Sequence, residues 1–370
     1  MKRPTRWWMV LLWAGLAAAQ PPLPYIVEVA KGTAEHPRNS EGGVVELKDG
    51  SWLQVWCEWL ASGDTGGDFS PCNLVAATSR DDGRTWVEKR TLIKGEPGGL
   101  NVMPASILRL DNGEIMLQYH RLHSQDQRSA FVQFSRDEGS TWSAPVRIWG
   151  PVEEYNIFAA NSVAIQMSSG RVLVPVTLAS GRTRGWASTF WSDDRGRTWK
   201  RSDARVELPM RGAMEATVAE RPDRTLLMVM RTQLGSIFAA ESADGIRWSM
   251  SRTLGIAAPE ARPLIARIPH SNEMLLVWND SQYDPRHHHF GVRTPIRVAI
   301  SRDGGRTWIN RKTIESDPQY EYTNFGIGFS SKGKAILQYM ASKEEPGGRF
   351  GRSAIGLRNA IIPLEWLRKP

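Results

Sequence analysis

Cysteine is scarce in this chain: 370 residues hold only two, Cys57 and Cys72, which flank a single loop. They leave two arrangements open, a disulfide worth ~3 kcal/mol by the chain-entropy argument or a pair of buried thiols. A sustained helical period is missing throughout, which removes an α/β solenoid from consideration. Past the N-terminus no apolar run reaches bilayer length, so the mature chain is expected to have no membrane span. Lys and Arg outnumber Asp and Glu by 47 to 39, a net charge of +8. That excess is scattered through turns and forms no basic helix or arm, which argues against a nucleic-acid partner and leaves other anions.

What is present begins with "MKRPTRWWMVLLWAGLAAAQ". Basic residues, a short apolar run and then Ala17, Ala18 and Ala19 predict a signal peptide over residues 1–19, with export to the periplasm or the extracellular space. The rest is repetitive. "SRDDGRTW" at 79 returns as "SRDEGSTW" at 135, "SDDRGRTW" at 192 and "SRDGGRTW" at 301, with a shortened "SADGIRW" at 242, so the starts lie 56, 57, 50 and 59 residues apart. A period in the fifties indicates stacked supersecondary units. In step with the octets run six strand–turn–strand patterns, such as "VVELKDGSWLQVW" and "SILRLDNGEIMLQY". Each of the first five is followed by a third strand that leads into the octet, and a fourth strand follows the octet's Trp. Four antiparallel strands repeated six times predict an all-β chain, residues 20–370, folded as one six-bladed β-propeller. The last blade lacks an octet, and "YIVEV" at 25–29 is the expected strand that closes the ring and removes its exposed edges.

The octets supply carboxylates, yet they read as scaffold. Asp81, Asp137, Asp194, Asp244 and Asp303 can accept backbone N–H bonds within their own turn. The glycine supplies an unusual backbone shape, and the Trp an apolar wedge. Strand direction gives a second reason. The octets fall on the face opposite the start of strand one and the loop after strand two, so converging chemistry is expected on that other face. Its segments include "HPRNSEGG", "WLASGDTGGDFSPC", "RGAMEAT", "MRTQLGS", "PEARP" and "YEYTNFG".

The S-x-D-x-G-x-T-W octet resembles the Asp box of the sialidase (neuraminidase) and BNR-repeat propellers, and the resemblance covers nearly the whole mature chain. It implies an exo-α-sialidase-like glycoside hydrolase that removes terminal sialic acid, or a related acidic sugar, by a retaining mechanism with a tyrosine nucleophile. By position in the blades, Arg38, Arg231 and Arg293 resemble the three arginines that grip the substrate carboxylate. Tyr322 resembles the nucleophile and Glu215 its base. Asp68 resembles the acid/base, with Asp64 as the alternative. Two positions depart from the family pattern: Arg38 is followed by "NSE", and Asn324 follows "YT".

The chemistry accounts for these residue types. A sialoside carries its carboxylate on the anomeric carbon, where an anionic nucleophile meets like charge and a neutral phenol does not. A phenol of pKa near ~10 needs a base beside it. Guanidinium forks bind a carboxylate bidentately and stay charged. No cofactor is called for. "RHHHF" at 286–290 invites a metal, but adjacent histidines diverge and no carboxylate pattern completes a ligand set, so it is expected to line the mouth instead. The implied partner is a sialylated or other acidic glycan. Two alternatives stand beside it: an exo-arabinanase-like enzyme acting on another glycan, and a propeller that binds glycans without catalysis.

Overall fold

A computed structural model of the chain describes residues 22–61, 67–95, 100–151, 156–180, 184–345, 349–350 and 354–370. Residues 1–19, expected to be a signal peptide, and Asp64 lie outside these. Among the described residues the chain is almost entirely β, with one short helix, Leu364–Arg368, at its end. Six small antiparallel sheets form the blades. Blade one runs Asn39–Glu46, Trp52–Trp59, Cys72–Ser79 and Val87–Ile93; blade four runs Met214–Glu220, Leu226–Arg231, Ser236–Ser242 and Arg252–Ala257. Blade five consists of Leu264–Arg267, Met274–Asn279, Ile296–Ser301 and Ile309–Glu315. Blade six is assembled from both ends of the chain. Tyr320–Phe329, Lys334–Glu345 and Gly356–Pro363 are joined by the N-terminal strand Tyr25–Ala30, which pairs antiparallel with Gly356–Pro363 (Tyr25 opposite Ile361). The expected closure strand is thus in place, and no blade of the ring is left incomplete.

Apolar residues from neighbouring blades form shared clusters, which is why each sheet needs the next. Leu264, Val277 and Val298 of blade five pack with Phe325, Leu337 and Tyr339 of blade six. The octet tryptophans sit against these clusters, Trp142 beside Leu53 and Leu117, Trp199 beside Phe134 and Val174. Cys57 and Cys72 are free and buried, and both thiols donate to the Val102 carbonyl, each at 3.4 Å. Of the two arrangements open in the sequence, the structure has the buried thiols.

Each octet closes on itself. In the third, Asp194 Oδ1 accepts from Thr198 N at 2.8 Å, Oδ2 from Thr198 Oγ1 at 2.6 Å, and Ser192 Oγ accepts from Gly196 N at 2.7 Å. The turn also locks onto the hairpin of the preceding blade: Arg195 pairs with Asp111, Glu138 accepts from Arg109 and from Lys48 N, and Lys334 pairs with Asp82. Gly139, at φ +85, explains the invariant small residue in these turns. A Cβ there would meet Leu53 of blade one at 2.5 Å. The octets and the hairpin turns therefore share one face, and their carboxylates are consumed by folding.

Loss of this turn should cost stability and nothing else. Asp194→Ala is expected to destabilise the fold by about 1–3 kcal/mol, read as a lower melting temperature. Burial disfavours the Asp194 anion, but Thr198 and Ser192 outweigh it and hold the carboxyl at about 2, below its ordinary 3.8. Its contribution is therefore complete above pH ~3.8 and fades as pH falls through about 2, so the melting difference between wild type and variant should close over that window.

Candidate functional site

On the opposite face, the first strands of three blades open with a β-bulge. Register shifts lie between Ser40 and Gly43, Met214 and Thr217, and Thr323 and Gly326. Within them Glu41, Glu215 and Asn324 take left-handed backbone conformations, with φ of +46°, +43° and +58°. Such conformations are uncommon for these residue types, and a bulge re-aims the side chain it carries. Two polar clusters result.

The first gathers around Arg38, which is 6% exposed. Its guanidinium lies over the Trp59 ring at 4.1 Å. It donates to Asp68 Oδ1 at 2.7 Å, to Ser40 Oγ at 2.9 Å and to Glu41. Asn324 reaches across from blade six to donate to the same Glu41 carboxylate. Asp68 is the accessible member, its side chain 66% exposed. Its loop is pinned to blade two by Asn101, which donates to the Asp68 carbonyl at 2.7 Å. Burial opposes the Arg38 charge, yet Glu41 and Asp68 reverse that and strengthen its hold on the proton. Burial of Glu41 raises its carboxyl above the ordinary value in spite of Arg38.

Glu260 organises the second cluster. Its carboxylate is 1% exposed and accepts from Arg211 at 2.6 Å, from Arg231 at 3.1 Å and from Gln233 at 3.0 Å. Its carbonyl accepts from Arg293 at 3.0 Å. Arg231 also donates to Glu215 Oε1 at 3.1 Å. Burial and the neighbouring Arg231 lower Arg293 to about 10. Burial works against the Glu215 anion, but Arg231, Arg262 and Arg293 together outweigh it and keep the carboxyl below its ordinary range. The histidine tract caps this group. Burial, with Arg293 and Arg231 nearby, makes His289 resist protonation, and His287 comes within 3.9 Å of Glu321.

Between the clusters lies Arg262, 1% exposed, which donates to the carbonyls of Asn161 (2.6 Å) in blade three and Phe325 in blade six. Beside them opens a cleft of about 290 Å³ lined by Phe69, Asp126, Arg128, Phe158, Arg184 and Arg211 among others. Burial lowers Arg128 to about 10, with Asp68, Asp126 and Glu215 pulling the other way.

The structure brings Arg231, Arg293 and Glu215 together and joins Arg38 to Asp68. Tyr322 N–H donates to the Arg293 carbonyl at 3.0 Å, but its phenol is directed to neither group. The Tyr322 side chain is fully buried in the core between blades five and six, where its hydroxyl donates to Glu315 Oε2 at 3.1 Å. Glu315 also accepts from Tyr339 at 2.7 Å and from Arg358 at 3.0 Å, so the carboxylate is saturated. Burial and Glu315 both raise the Tyr322 phenol above its ordinary value. The expected Tyr322–Glu215 pair is not formed, because strand alternation sends Tyr320 and Tyr322 to the same face, their rings 5.9 Å apart. Glu41, Glu260, Arg262 and Asn161 were absent from the sequence-based set. The same rule that selected Glu215, polar residues just before strand one, would have found the two in "PEARP".

Comparison with known proteins agrees with this architecture. A model of the family described as a BNR repeat-like domain matches residues 103–327. A sialidase of Bacteroides fragilis (strain YCH46) is 26% identical over 259 residues, 62% of this chain and 47% of the relative, so the chain spans about half that relative's length. Among solved structures, the leech intramolecular trans-sialidase complexed with 2,7-anhydro-Neu5Ac superposes with a TM-score of 0.71 at 16% identity, covering 90% of this chain and 69% of that one. The intramolecular trans-sialidase of Ruminococcus gnavus gives 0.70 at 15% identity, covering 92% and 97%. A protein of unknown function from Dyadobacter fermentans DSM 18053 gives 0.67 at 19% identity, covering 91% and 99%. At these identities the likeness speaks for fold. With six closed blades, five self-locking octets and a family match over more than half its length, this chain belongs to the BNR repeat-like family of sialidase-type propellers.

Proposed function

We propose that the protein is an exported sialidase-type glycoside hydrolase that takes a glycan by its terminal acidic sugar in this mouth. The observation that carries the reading is the convergence of Arg231 and Arg293 on Glu260, beside Arg211 and an open cleft. Guanidinium groups held in that way are preorganised for a carboxylate fork.

Arg38, Arg211, Arg231 and Arg293 each already have a protein partner, so binding is an exchange. The sugar carboxylate replaces Asp68 on Arg38 and competes with Glu215 for Arg231. Release of Asp68 from its cation raises its affinity for a proton and leaves an accessible carboxyl to protonate the departing glycosidic oxygen. Glu215, kept ionised by its arginines, stabilises the positive charge that develops at the anomeric carbon, and the Asp68 carboxylate left by the first proton transfer takes a proton from the water that adds there. Tyr322 has no part in this scheme, since its phenol is held by Glu315.

That same placement favours a second reading, a propeller that binds acidic glycans and cleaves nothing. Turnover of a fluorogenic sialoside, measured beside calorimetric binding of free sialic acid, separates them. Product release with binding supports hydrolysis; binding alone supports the second reading. Absence of both overturns the acidic-sugar assignment and calls for a panel of glycans without carboxylates.

Arg293→Ala is expected to weaken binding about 100-fold or more, because a charged hydrogen-bonding partner is removed from a desolvated site. Asp68→Asn should preserve binding within a few-fold and lower turnover by at least about 100-fold. Tyr322→Phe should leave turnover unchanged while costing about 1 kcal/mol of stability through the lost bond to Glu315. Lost turnover with an unaltered melting curve would instead return Tyr322 to the role of nucleophile.

A further inference from the structure

Blade five sends one side chain into the middle of the wheel. Arg262 belongs to no expected site; it is 1% exposed, and its guanidinium donates to two main-chain carbonyls, those of Asn161 in blade three and Phe325 in blade six. Its Nε has no hydrogen-bond partner. Those two carbonyl contacts are not isolated. Asn161 Nδ2 donates to Gly42 O and to Asn324 O, each at 3.0 Å, and Asn324 in turn holds Glu41. Arg262 therefore grips the backbone next to the bulge that presents Asn324, and through Asn161 the bulge that presents Glu41.

We propose that Arg262 is a positioning residue of the mouth, an axial cation that fixes the Arg38–Glu41–Asp68 half relative to the Arg231–Glu215–Glu260 half. The proposal rests on the acidic-sugar reading for its purpose, though not for its test. A buried cation without its own carboxylate is costly unless neighbouring anions compensate. Burial lowers Arg262 to about 10, and the anions that oppose this are Glu215 and Glu41, one from each half. Glu215 is faced by Arg231 from its own blade, by Arg262 and Arg293 from blade five and by Arg128 from blade two. Its backbone N–H is fixed by Thr177 Oγ1 of blade three at 2.8 Å. Among the described residues, none of the other three arginines facing Glu215 donates to the carbonyls of two further blades. Arg262 contacts neither the cleft nor an exposed surface, so its effect on a ligand passes through the residues it holds.

Two substitutions separate charge from packing. Arg262→Gln keeps donors and removes the charge; Arg262→Lys keeps the charge and loses the fork. With one of its four cations gone, Glu215 should gain a proton at higher pH, so in Arg262→Gln its carboxyl should titrate about one pH unit higher than in wild type, by carbon-13 NMR on the ligand-free protein. Arg262→Lys should leave that titration near the wild-type position. Protonation of Glu215 frees Arg231 for the sugar carboxylate, so Arg262→Gln should gain affinity for sialic acid toward acid at a correspondingly higher pH than wild type. Unchanged Glu215 titration in both variants would overturn the proposal, whether or not any sugar binds. If Arg262→Gln does not fold, the double variant Arg262→Gln/Glu215→Gln decides: recovery of folding supports the coupling, and failure to improve on the single variant contradicts it. A wild type that ignores sialic acid while Glu215 still shifts would refute the acidic-sugar reading and leave the positioning role intact.

Discussion

The cost of taking a guanidinium out of water shapes the mouth of this propeller. Arg38, Arg262 and Arg293 are each under a tenth exposed, and a buried charge persists only where carboxylates or carbonyls replace its hydration. Glu41 and Asp68 do this for Arg38, Glu260 and Glu215 for Arg231, and two main-chain carbonyls for Arg262. Glu260 reaches Arg231 from blade five, and the two carbonyls reach Arg262 from blades three and six, so these sheets must hold a fixed rotation about the axis for both arginines to be satisfied. The left-handed backbone at Glu41, Glu215 and Asn324 follows from the same demand. Regular strand geometry would send those side chains elsewhere, and the bonds they make offset the strain.

Rigidity of that kind has to come from the opposite face. There the octets are closed by their own Ser and Asp, four of them also by Thr, and the first four are latched to the hairpin of the preceding blade, while the N-terminal strand seals the last gap. The division of labour is clean in charge as well. Octet carboxylates such as Asp137 and Asp194 sit at about 2 because hydroxyl and backbone donors saturate them, which makes them poor proton donors near neutrality. Asp68, two-thirds exposed and tied to one guanidinium, can be released by a competing anion.

The scaffold was open to reading from residue order, since octet, hairpin turn and strand alternation are local patterns whose hydrogen bonds close within a few residues. Strand direction put the proposed mouth on the face opposite the octets, and the closing role of "YIVEV" followed from the incomplete last blade. The arginines were legible for a related reason: position in a blade fixes the end of the wheel at which a side chain emerges. Tyr322 was not. Whether a strand residue faces the axis or the neighbouring blade depends on register, and the bulge between Thr323 and Gly326 resets it three residues before regular pairing resumes. In hindsight "YEYTNF" carries the answer in its alternating tyrosines, a pattern for burial against blade five. Glu260 and Arg262 escaped because the search asked which residues match a known grip, and not which anions could neutralise it.

The most direct test of this account is the structure of the protein with sialic acid bound. Arg231 and Arg293 should lie on the ligand carboxylate, with Asp68 drawn off Arg38 and the Tyr322 hydroxyl still on Glu315. A ligand seated away from these arginines, or a phenol turned toward the anomeric carbon, would contradict it.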